Sequence, residues 1–79
     1  MSMAMSGEGE HPSTRIVRLA NQIATAFQLE ADPEAATADH IAKFWDPRMR
    51  AQLKTAVATA SEDLSPIARA AATKLGLGG

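Results

Sequence analysis

The sequence predicts an all-α fold, a small bundle or array of about four short helices with proline-initiated starts. Three observations carry this. Apolar residues recur at i, i+3, i+4 and i+7 along most of the chain; no segment alternates as a half-buried strand would; and three cap-plus-proline pairs, Asp32-Pro33, Asp46-Pro47 and Ser65-Pro66, divide it. A chain of 79 residues holds a single domain. We place it at residues 13–76, behind a flexible arm at 1–12 and ahead of a frayed tail at 77–79.

The first helix is expected from an N-cap at Ser13 or Thr14, with Ile16, Val17, Ala20, Ile23, Ala24 and Phe27 on one stripe and Arg15, Arg18, Asn21 and Gln22 largely off it. Asp32 then caps a second helix whose first position is Pro33, where a preset φ and a missing amide cost nothing. Its buried side carries Ala38, Ile41, Phe44 and Trp45, and Asp39 and Lys43 are spaced to pair at i, i+4. Asp46-Pro47 ends that helix, because the residue before a proline is driven out of the α region, and starts a third with Met49, Leu53, Ala56, Val57 and Ala60 inward. Past the polar Ser61-Glu62-Asp63, Ser65-Pro66 opens the last helix, with Ile67, Ala70, Ala71 and Leu75 on its stripe. Gly76 is placed as its C′ residue and Leu77 as the partner of a Schellman cap.

Composition narrows the function. Hydrophobic residues make up 46% of the chain, but many are alanine, and the aromatics are only Phe27, Phe44 and Trp45. The core is therefore expected to be thin, and a domain this small usually needs a disulfide, a metal or a partner. Cysteine is absent, which removes disulfides, thiol catalysis and iron–sulfur ligation, and His11 and His40 have none of the spacings that bring two metal ligands together. A partner chain remains. The formal net charge of −1 argues against nucleic-acid binding, which is chiefly electrostatic. The first ten residues lack the basic and apolar regions of a secretory signal, and no apolar run approaches the ~20 residues that span a bilayer. Cytoplasm is the expected compartment.

The densest stretch runs from His40 to Arg50, and there we place a partner interface made of His40, Lys43, Phe44, Trp45, Asp46, Arg48, Met49 and Arg50. Arg48 and Arg50 stand in the first turn of the third helix, where the helix dipole disfavours a cation by about 0.3–1 kcal/mol. Arg50 and Lys54 add a like-charge i, i+4 pair. That placement suits guanidiniums that meet carboxylates or carbonyls of another chain, and Arg and Trp are enriched at interface hot spots. Other readings are weaker. His40 has no serine or carboxylate at the spacing of a catalytic dyad. A helix-turn-helix reader using Arg48, Arg50, Gln52 and Lys54 lacks a longer basic face. The order Asp63-Leu64-Ser65 is not that of an acyl carrier site, and the terminal Gly78-Gly79 comes without the strands of a ubiquitin-like modifier.

Three segments, Arg15 to Ala24, Asp39 to Arg50 and Leu64 to Ala71, together resemble the delta subunit of NAD-dependent formate dehydrogenase over about residues 13–75. The specific element is the string His40-Ile41-Ala42-Lys43-Phe44-Trp45-Asp46-Pro47-Arg48-Met49-Arg50, in which Ala42 stands where a basic residue is common. The resemblance implies a non-catalytic subunit of a cytoplasmic complex that oxidises formate to CO2 and reduces NAD+. It implies no cofactor on this chain. It implies as partner a catalytic alpha subunit with bis-molybdopterin guanine dinucleotide, carrying molybdenum or tungsten, and iron–sulfur clusters, beside FMN-containing subunits that reduce NAD+. The delta chain would support stability or cofactor insertion, as a permanent subunit or a transient maturation chaperone. On this reading Trp45 is partly exposed as an anchor, Arg48 and Arg50 hydrogen-bond across the interface, and His40 and Lys43 extend it.

Overall fold

The computed structural model of the chain describes residues 12–77. Four helices follow one another: α1 (Pro12–Ala26), α2 (Pro33–Phe44), α3 (Pro47–Ala60) and α4 (Pro66–Lys74), with a 3-10 turn at Ser61–Asp63, and there is no strand among the described residues. All four prolines of the sequence are first residues of helices. Three starts carry the side-chain cap that the sequence implies. Asp32 accepts the Ala35 amide at 3.1 Å, Asp46 the Met49 amide at 2.8 Å, and Ser65 the Ala68 amide at 3.2 Å. The first helix departs from expectation by starting at Pro12, ahead of Ser13 and Thr14, since a proline suits the first helical position better than either suits the cap before it. The arm expected over residues 1–12 otherwise lies outside the described residues.

The fourth helix closes on the expected Schellman cap. Gly76 takes φ +79°, its amide donates to the Thr73 carbonyl at 3.0 Å, and the Leu77 amide donates to Ala72 at 2.9 Å. Leu77 is thus the Schellman partner that the sequence implies, and it packs against the core.

Helices consecutive in the chain are not each other's main partners. α1 lies chiefly on α3, and α2 on α4, so the two pairs interleave. The two-residue corner between α2 and α3 explains this, because Trp45 (φ −92°, ψ 138°) and Asp46 (φ −80°, ψ 170°) are both extended and carry α3 away from α2.

The core is built from Ile16, Val17, Ala20 and Ala24 of α1, Ile41 and Trp45 at the end of α2, Leu53 and Ala56 of α3, and Leu64, Ala68 and Ala72 around α4. Seven of the thirteen buried apolar residues are alanine, so the large buried aliphatics, Ile16, Ile41, Leu53 and Leu64, account for most of the apolar area. Two expectations are corrected here. The buried face of α4 runs through Ala68, Ala71 and Ala72, with Ile67 and Ala70 only at its margin, because small residues on α4 meet Thr37 and Ala38 of α2 where the helices approach. Phe44, read as part of the buried side of α2, is 70% exposed.

Candidate functional site

At the corner joining α2 to α3, most of the side chains of the His40–Arg50 stretch have intramolecular roles. Trp45 donates its amide to Ile41 at 3.0 Å, and at 7% exposure its indole belongs to the core. The expectation of Trp45 as an exposed anchor is therefore corrected: one turn after the buried Ile41, the core takes the larger ring and leaves Phe44 outside. Asp46 is occupied as the cap of α3, and Met49 is half-buried against the core. The guanidinium of Arg50 folds back and donates through Nη1 to the Trp45 carbonyl, an acceptor that the end of α2 leaves unpaired. Arg50 was expected to bond across an interface; its bond here is within the chain, and this offsets the cost of a cation in the first turn of α3.

The corner before α4 repeats this chemistry position by position. Leu64 is buried where Trp45 is, Ser65 caps where Asp46 does, Pro66 matches Pro47, and Arg69 donates through Nη2 to the Leu64 carbonyl at 3.5 Å, five residues back as Arg50 does. In that alignment Arg48 corresponds to Ile67. The shared fold thus requires the second arginine of the first corner but not the first. Arg48 is exposed and makes no hydrogen bond or ion pair among the described residues.

Beside the corner three rings form a column. Phe27, in the turn after α1, lies 5.7 Å from His40 at 57° between planes, and His40 lies 4.7 Å from Phe44 at 40°. Tilted pairs at these distances attract by about 0.5–1.5 kcal/mol beyond their buried area, which favours the conformation in which the exposed Phe44 lies against His40. One turn before Phe44 and beside Lys43, Asp39 forms the expected ion pair at 3.1 Å with Lys43, both side chains well exposed, which limits its value to a few tenths of a kcal/mol. The corner thus presents an exposed aromatic ring, Phe44, four residues before an exposed guanidinium, Arg48.

A family model described as "NADH-dependant formate dehydrogenase delta subunit FdsD" matches residues 15–72. The chain belongs to this family. No curated protein and no solved structure matches it. The span matched to the delta-subunit family reaches from the start of α1 to the last buried alanine of α4 and includes both corners. It thereby covers every one of the candidate interface residues.

Sequence reasoning missed one residue that organises this delta-subunit fold. The Asn21 side chain donates through Nδ2 to the Asp63 carbonyl at 2.9 Å and accepts the Ser65 amide through Oδ1 at 2.8 Å, so a single amide on α1 clamps both sides of the buried Leu64. No local pattern signals a contact that crosses more than forty residues. A groove of about 580 Å³ opens over the same part of α1, between Thr14 and Thr25 with Asp63 at its wall. None of the corner residues lines it.

Proposed function

We propose that this chain is a non-catalytic subunit that binds the catalytic alpha subunit of a cytoplasmic formate dehydrogenase complex and supports its stability or the insertion of its molybdopterin cofactor. The complex oxidises formate to CO2 with reduction of NAD+, and the flavin- and NAD-handling subunits complete it. The observation that carries this reading is the exposed Phe44, in ring contact with His40 and through it with Phe27, four residues before the exposed Arg48, in a chain of the delta-subunit family. A core made largely of alanine supports it as well, since such a domain has much to gain from a partner.

Cysteine is absent from the sequence, and among the described residues no three His, Asp or Glu side chains are grouped as a metal ligand set. We assign the molybdenum or tungsten pterin, the iron–sulfur clusters and FMN to the partner subunits. Among the described residues no helix is long and apolar enough to cross a membrane.

The test is purification of the tagged full chain from its host at moderate salt, with identification of bound subunits, metal analysis and an assay of formate-dependent NAD+ reduction. A large metal-containing subunit in constant ratio to this chain in the active complex is the expected result. Recovery only with cofactor-free alpha subunit would make the chain a maturation factor instead. Full activity in a strain lacking the gene, with no bound alpha subunit, would overturn the proposal.

A further inference from the structure

We infer that Phe44 and Arg48 form a two-point docking element whose partner surface is an apolar socket for the Phe44 ring with a carboxylate on its rim for the Arg48 guanidinium. The inference rests on the proposed binding to the alpha subunit and says which atoms of this chain perform it and what chemistry must face them. Exposure alone does not select Phe44, because single exposed apolar side chains are common and Leu29 is more exposed still, at 94%. What selects Phe44 is that its exposed ring has ring neighbours that narrow its conformations although it adds nothing to the core. Its ring lies tilted against His40, which is backed by Phe27. A side chain already ordered in the free protein loses less freedom on binding, which is the property of an anchor.

Arg48 is selected by comparison within the chain. At the equivalent corner the fold places Ile67, so the helix start does not need a guanidinium there. The carboxylates nearest in sequence are also committed: Asp46 Oδ1 to the Met49 amide and Asp39 to Lys43. An arginine in the unfavourable first turn with no acidic partner among the described residues is complementary to a carboxylate on another chain, which its planar fork binds in two parallel hydrogen bonds. Phe44 and Arg48 are four residues apart, at most ~14 Å along the chain, so one contact patch of ordinary size takes in both. Trp45 and Arg50 lie between and beyond them in sequence and hold the corner from inside.

The experiment measures binding of the full chain to the purified alpha subunit for the wild type, Phe44→Ala, Arg48→Glu and Leu29→Ala, with thermal melts of each free chain. Phe44→Ala and Arg48→Glu are expected to weaken binding at least about tenfold each while leaving the melt unchanged, and Leu29→Ala to change neither. Arg48→Gln should also flatten the salt dependence of binding, which a purely apolar contact would not do. Trp45→Ala is the structural control and should lower the melt sharply. If the wild type binds and the Phe44 and Arg48 variants bind equally well, the docking element is overturned while the subunit assignment stands. If the wild type itself does not bind the alpha subunit, both fall.

Discussion

Thr37 sits fully buried where α2 meets α4, and its hydroxyl has no hydrogen-bond partner. The outward-facing Thr55, Thr59 and Thr73 each return their hydroxyl proton to the carbonyl four residues back, which makes the exception at Thr37 conspicuous. An unmade bond in the interior costs about 1–3 kcal/mol, so Thr37→Val, which keeps the shape and removes the hydroxyl, should raise stability by ~1 kcal/mol in a urea titration. A loss of stability would mean that the hydroxyl is bonded after all. Asn21 presents the opposite case. Replacing it with alanine removes both bonds to the Asp63–Ser65 connection, and an expected loss of about 1–2 kcal/mol would appear as a lower urea midpoint with an unchanged slope. Neither residue was singled out from sequence, because threonine and asparagine look alike whether they face water or another helix. Phe44 and Trp45 show the same limit: they stand three and four residues after the buried Ile41, and both spacings lie on one helix face.

The element starts were the most legible part of the chain. A capping side chain, a proline and a helical stripe act over four or five residues, so Asp32-Pro33, Asp46-Pro47 and Ser65-Pro66 could be read without knowing the fold. The end of α4 was equally local. At Gly76 the positive φ is the constraint, since a Cβ there would meet nothing within 4 Å. Gly76→Ala should therefore cost about 1 kcal/mol through backbone strain alone, and Gly76→Asn less, because asparagine tolerates the left-handed region. Thermal melts of the two variants order them; equal losses would point to side-chain crowding instead. The face of α4 was less legible. A periodic run of alanines has several equivalent stripes, and the choice among them belongs to the helix opposite.

For the whole molecule the decisive fact is a small-residue core in an interleaved array of four helices. Burial of alanine removes little apolar surface, and a domain of this size draws only about 3–5 kcal/mol from one core. A bound partner then shifts the folding equilibrium measurably. At a hundredfold excess over Kd the alpha subunit should stabilise the chain by about 2.7 kcal/mol, seen as a higher melting temperature that rises with partner concentration. A melt indifferent to the alpha subunit would contradict a stabilising interface of any geometry. The thin core followed from composition, but the interleaving of α1 with α3 and α2 with α4 did not. Loop lengths alone would have allowed consecutive helices to pair.

By itself the sequence determined the helical class, the three capped proline starts, the Schellman end and, through the His40–Arg50 string, the delta-subunit family, because each of these depends on residues within a few positions of one another. Tertiary structure alone decided that Trp45 goes inward and Phe44 stays out, that Arg50 serves the Trp45 carbonyl while the Arg48 side chain has no partner among the described residues, and that Asn21 ties α1 to the corner before α4. The first group is governed by backbone geometry, which acts along the chain. The second depends on which surfaces meet, and a helical stripe states only that a face is apolar, never which neighbour will cover it.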